Sequence, residues 1–159
     1  MIFFLECVLA CGLFTLMVKI MTAKKREAFT NDYPPVVTDR LRGMGLIAEK
    51  PPARKSDVIR KAVAIVVFAV LFALLLRYVN GITTFWRGTL TALALWLVVD
   101  WFDFLVIDVL LAPFDKFYQA AKVSAFDKSA VLFHCKGSLK GTVMGLAFAP
   151  IVGWLITRL

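Results

Sequence analysis

The sequence predicts an all-α integral membrane protein of four transmembrane helices plus a cytoplasmic interfacial amphipathic helix. Three observations predict it: 60% hydrophobic residues in a chain of 159, four separate apolar runs, and basic residues gathered on one side of those runs. A soluble domain has about 45–50% apolar and about 25% charged residues. This chain has 19% charged residues and a mean hydropathy of +0.79. The runs fall at about 2–21, 62–78, 89–111 and 139–156, each near the roughly 20 residues that cross a bilayer. They are apolar all round rather than striped, which argues against a water-soluble bundle. Residues 1–159 therefore read as a single membrane domain.

The first run lacks a basic leader, carries Glu6, and has its positive run after it rather than before it. It reads as an uncleaved span, not a signal peptide. Val8-Leu9-Ala10-Cys11 is only faintly similar to a lipoprotein cleavage site. Cys7 and Cys11, four apart on one face, and the distant Cys135 make neither a disulfide framework nor a CxxC metal motif. They read as small packing residues.

The segment 22–61 reads as a cytoplasmic loop. Pro34-Pro35 and Pro51-Pro52 break it, each forcing extended backbone on the residue before. The piece between them, containing Arg40-Leu41-Arg42-Gly43-Met44-Gly45, is expected to be too short and glycine-rich for a core of its own. Gly43-Met44-Gly45 lacks the preceding strand and the Lys-Ser/Thr ending of a phosphate loop. The whole segment is expected to be a membrane-surface arm and linker.

Ten basic residues lie between spans one and two, and four more between spans three and four, with Lys140 just inside span four. Only Arg77, Arg87 and Arg158 fall on the other side. This positive-inside bias places the chain in the cell membrane with both termini outside and both long loops in the cytoplasm. The net charge of +8 is thus a topology device first and a contact for anionic lipids second. Nucleic acid is not an expected partner.

Span two is short, and Arg77 completes it by snorkelling. Arg77 to Gly88 reads as a tight external turn, with Asn80-Gly81 as turn signal and Phe85-Trp86 as interface anchor. After span three, Phe114, Phe117, Tyr118, Ala121 and Ala125 recur with helical spacing, while Asp115, Lys116, Gln119 and Lys122 fall largely opposite. That predicts an amphipathic helix over about 114–126, lying in the interface plane. In span four, Gly137, Gly141, Gly145, Ala149 and Gly153 recur every four residues. Such a ridge lets a neighbouring helix approach closely. The neighbour is another span of this chain or a partner subunit, so a homo-oligomer or a larger membrane complex joins the bilayer among the expected partners. Pro150 is expected to kink the span.

Within span three, Asp100, Asp103 and Asp108 interrupt an otherwise apolar run. A carboxylate near the bilayer centre costs about 2.5–3.5 kcal/mol on insertion scales, so all three need protonation, pairing, or a face toward water or a cation. On a straight α-helix they spread over about 140° of one face and descend about 12 Å toward the cytoplasm. Matching depth offers Asp108 the partners Lys19 or His134, with Lys140 nearby. Asp100 and Asp103 have no basic residue at their own expected depth, and Glu6 sits near the external end with Arg77 and Arg87.

Asp100-x-x-Asp103 followed by Asp108 is slightly similar to the aspartate motif of intramembrane prenyltransferases, but the second motif is absent. Nor does Asp103-Phe104-Leu105 match the Asp-Gly of CDP-alcohol phosphotransferases. Asp103-Phe104-Leu105-Val106-Ile107-Asp108, with Phe133-His134 and Gly137-Ser138-Leu139-Lys140-Gly141-Thr142, resembles a group of small bacterial and archaeal multispan membrane proteins. That resemblance covers mainly the carboxy-terminal half and implies no activity.

The leading expectation is a cation or proton site, in a transporter or a transport subunit. Asp100 and Asp103 form its deep part and Asp108 its inner mouth, and the carboxylates replace hydration or relay protons. A membrane enzyme acting on a lipid head group through Asp108, His134 and nearby lysines is the alternative. An assembly subunit whose aspartates pair with another protein is the third reading. No catalytic residue, cofactor or metal is named by the sequence.

Overall fold

Four helices are long and apolar enough to cross a membrane: Ile2–Ile20, Ala62–Val79, Phe85–Leu110 and Lys128–Ile156. They come from a computed structural model that describes residues 2–25, 30, 32–48, 55–124 and 126–159. Arg26, Lys50, Pro51-Pro52, Arg54 and Ala125 lie outside the described residues, as do the side chains of Lys24, Lys25, Lys55, Arg60 and Lys61. The described chain is all-helical, with no strand.

The elements are α1 (Ile2–Lys25), α2 (Pro35–Gly43), α3 (Lys55–Leu74), α4 (Phe85–Phe102), α5 (Lys116–Ala121) and α6 (Lys128–Ile156). α3 continues as a π-helical turn over Leu75–Val79, and α4 as a longer π segment over Asp103–Leu110. Most large apolar side chains on the long helices point outward: Phe4, Leu13, Val66 and Val143 are all more than half exposed.

The chain divides into two compact units, one of Phe3–Lys50 with Val98–Gly141 and the other of Pro51–Leu97 with Thr142–Leu159. In the first unit, α2 and α5 pack together around Val37, Leu41, Ile47, Tyr118, Ala121 and Ala130. This corrects two expectations. The Pro34-Pro35 pair starts a helix rather than only breaking the loop, because Pro35 takes a first-turn position where its missing N–H and preset φ cost nothing. The segment after it has a core because α5 supplies the other half.

Gly43-Met44-Gly45 turns out to be a helix stop. Gly45 has φ 69°, its N–H bonds the Arg42 carbonyl, and the Leu46 N–H bonds the Leu41 carbonyl. This is the Schellman arrangement, which satisfies the last carbonyls of α2.

α5 is also shorter than the stripe over 114–126 predicted. A 3-10 turn occupies Ala112–Phe114, and α5 runs only from Lys116 to Ala121. Asp115 caps its start by accepting the Phe117 N–H at 2.7 Å. Lys122, at φ 52°, ends it with the same bond pattern as α2. Arg40 Nη1 then donates to the carbonyls of Ala121 and Lys122 at 3.3 and 3.2 Å. The apolar face of α5 is covered by α2, since Tyr118 and Ala121 are buried in the shared core.

The second unit is built on small residues. Ala69, Ala73, Ala92 and Ala149 bring α3, α4 and α6 close, and Leu76, Phe148, Val152 and Ile156 fill the space between them. Phe148 takes Phe72 edge-on at 5.7 Å and Trp96 at 4.9 Å between ring centroids. A Cβ on Gly145 would overlap the Trp96 ring, and one on Gly153 would overlap Thr89 and sit 2.7 Å from the Phe85 carbonyl oxygen. This stretch of the glycine ridge faces α4 of the same chain. The expected turn after α3 is made by Gly81 at φ 65°, with the Ile82 N–H bonding back to the Leu76 carbonyl.

Candidate functional site

The polar side chains of the first unit converge because α4 changes its hydrogen-bond register at Asp103. From there to Leu110 the backbone is π-helical, and the Leu111 N–H still bonds five residues back, to Val106, at 2.8 Å. In a π-helix, residues five apart are brought toward one face. Asp103 and Asp108 are five apart, so the wide angle between them expected on a straight α-helix is closed. Both line one cavity, together with Asp100.

α6 begins at Lys128, eleven positions before the expected start at 139. Asp127 caps it: the carboxylate accepts the N–H groups of Ser129 at 2.9 Å and Ala130 at 3.3 Å, and also the Ser129 hydroxyl. Those bonds hold the Asp127 carboxyl below its usual range. With this earlier start, His134, Lys136 and Lys140 all lie on a helix.

Two contacts set the register of α6 against α4. Gly141 lies against the Asp100 carboxylate, where a Cβ would overlap Oδ1 and come within 2.8 Å of Cγ. One end of the cavity away, His134 Nδ1 is 2.8 Å from Asp108 Oδ2. The helices therefore run antiparallel here, and the residues between His134 and Gly141 share a level with those between Asp108 and Asp100. Lys136 and Lys140 fall in that interval, and both line the cavity with Lys19. Asp100 and Asp103, expected to have no basic residue at their depth, share the cavity with Lys136 and Lys140.

Of the two partners offered to Asp108, the structure places His134 in hydrogen-bond contact and Lys19 on the cavity wall. His134 is 7% exposed, and its other ring nitrogen, Nε2, is 3.0 Å from the Tyr118 hydroxyl. Burial pushes the Tyr118 phenol up from its ordinary range, and the nearby Asp108, Asp115 and Asp127 carboxylates push it further. The phenol thus remains a donor. With the phenol donating to Nε2, a neutral ring would carry its proton on Nδ1, toward Asp108. The result is a chain of hydrogen bonds, Tyr118 to His134 to Asp108. Tyr33 adds a second tie by donating to Asp115 Oδ2 at 2.9 Å.

The cavity holds about 940 Å³. Its walls carry both signs of charge and an apolar side of Phe14, Met17 and Val18 from α1 and Ile107 from the π segment. Among the described residues, no three His, Cys, Asp or Glu side chains converge closely enough to hold a metal ion. Gly137 lines the cavity and has no atom within 4 Å of where a Cβ would be, unlike Gly141.

Two contributors escape sequence reasoning. Tyr118 falls in the apolar stripe of the amphipathic pattern, which hides its hydroxyl. Lys136 reads only as a topology charge. The signal available for Lys136 is the apolar run from Ala130, which extends α6 back past it. The chain matches no family model, and neither a curated protein nor a solved structure is similar to it.

Proposed function

We propose that this is a multi-pass membrane protein that binds a proton or an organic cation in the cleft of its first unit. Asp100 and Asp103 serve as the deep carboxylates, and Asp108 and His134 as the inner mouth. The supporting observation is that all three aspartates line one cavity and that Asp108 is tied through His134 to Tyr118. Carboxylates inside a span persist where they face a cavity and a partner. The outward-facing apolar side chains of the long helices favour a lipid surround, since patches that large are not left in water. In this reading both termini are outside, and α2 and α5 form a small cytoplasmic cap beside the cleft.

The Tyr118–His134–Asp108 chain gives a proton a route. In this reading the ring hands its Nδ1 proton to the Asp108 carboxylate as the Tyr118 hydroxyl hands its own to Nε2, and the phenol takes a new proton from the cavity. The test is flux in liposomes containing the purified protein, followed with an internal pH dye under a proton or methylammonium gradient. Asp100→Asn and Asp103→Asn should each abolish it; normal flux in both variants rules the reading out.

A further inference from the structure

A proton or small cation uses little of this cleft. Water's share of liquid volume is about 30 Å³, whereas the cavity holds about 940 Å³, at the upper end of the roughly 300–1,000 Å³ typical of pockets for organic ligands. Three features of the lining define what fills such a space. Asp103 supplies a carboxyl group between the levels of Asp100 and Asp108. Lys136 and Lys140 supply positive charge at the same levels, four residues apart on α6 and so on one face of it. α1 adds apolar surface at Phe14, Met17 and Val18, beside Thr15, Thr22 and Lys19.

We infer that the cleft binds a zwitterion, an ammonium group joined to a phosphate or carboxylate on an organic body. The ammonium is held at Asp103, the anionic group lies at Lys136 and Lys140, and the body rests against α1. The inference builds on the cation reading by naming the substrate class. Both ends are needed. An unaccompanied cation gives Lys136 and Lys140 no counter-charge, and an unaccompanied anion gives Asp103 none. The same chemistry occurs in a phospholipid head group and in a small soluble metabolite, and both fit the residues.

The test uses the full-length protein in nonionic detergent. Calorimetric titration compares O-phosphoethanolamine with ethylammonium and with inorganic phosphate, and native mass spectrometry compares retention of phosphatidylethanolamine with that of phosphatidylglycerol. The zwitterion, soluble or as lipid, should bind at least about tenfold more tightly than ethylammonium or phosphate. Asp103→Asn and Lys140→Gln should each weaken it by about tenfold, the scale of one lost hydrogen bond to a charged group. Preference for the soluble ligand identifies a metabolite, and preference for phosphatidylethanolamine a head group.

Ethylammonium binding as tightly as the zwitterion, with Lys140→Gln silent, overturns the inference and leaves the cation reading standing. Phosphate binding equally well, or phosphatidylglycerol retained equally, overturns it as well. Binding of none of these probes, together with absent flux, removes both readings. The comparison of ligands on the unaltered protein decides the matter even if a variant fails to fold.

Discussion

The Asp100 carboxylate fills the space that a side chain at position 141 would need. A Cβ on Gly141 would overlap Asp100 Oδ1 and lie 2.8 Å from Cγ and 3.0 Å from Oδ2. The glycine on α6 and the aspartate on α4 are therefore one packing feature, which sets how deeply the carboxylate sits in the cleft.

Gly141→Ala should destabilise the protein by about 1–3 kcal/mol, the usual cost of overpacking, and should displace Asp100. Thermal unfolding in detergent measures the first effect and loss of ligand or proton binding the second. Gly137→Ala is the control. It meets nothing within 4 Å, so replacing a mid-helix glycine should be neutral or stabilise by up to about 1 kcal/mol. Equal losses in the two variants would contradict this packing.

Gly153→Ala should cost more than Gly141→Ala. Its Cβ would meet the Phe85 carbonyl oxygen at 2.7 Å and the Thr89 amide nitrogen at 3.1 Å. Those are backbone atoms, which cannot turn aside as the end of an aspartate side chain can. The midpoint of thermal unfolding, compared across the two variants, tests the order.

Tyr118→Phe should change how stability responds to alkaline pH. The folded phenol is raised above its ordinary value of about 10. The folded state therefore holds that proton more tightly than the unfolded chain. The stability this provides is constant below pH about 10 and declines as pH rises beyond it. The variant should show a shallower alkaline decline than the unaltered protein, a difference in which the shared lysine titrations cancel. At neutral pH it should lose about 1–3 kcal/mol, because buried Nε2 of His134 is left without its donor.

Leu41→Ala should open the contact between α2 and α5. Leu41 is fully buried, and truncating such a leucine costs about 2–5 kcal/mol. Hydrogen exchange should accelerate first in the amides of α2 and α5, with those around Ala73 and Phe148 changing least. Uniform acceleration would mean that the cap is not a separate packing element.

The positions of the long helices are legible because apolar composition is a property of the chain itself. Four runs near bilayer length become helices wherever their backbone groups have no other partner. The start of α6 is legible only in part, from the apolar run Ala130–Phe133. Lys128, His134 and Lys136 look like a loop in a hydropathy profile, yet all three belong to the helix, and His134 and Lys136 line the cleft. α2 is hidden similarly, since Pro34-Pro35 serves as a breaker or a helix start depending on whether a packing partner covers the next turns. That partner is α5, some eighty residues further along the chain.

The sequence alone determined that the chain is helical, that its helices are long and apolar enough for a membrane, and that Asp100, Asp103 and Asp108 are its unusual residues. Depth also named Lys19 and His134 as partners for Asp108. Tertiary structure decided the rest. Packing chose His134, added the Tyr118 hydroxyl behind it, and set Gly141 under Asp100. The π register then turned Asp103 and Asp108 toward one cavity. The reason is physical: periodicity assumes one hydrogen-bond register along a helix, and it cannot see which side chains a fold brings together from distant segments.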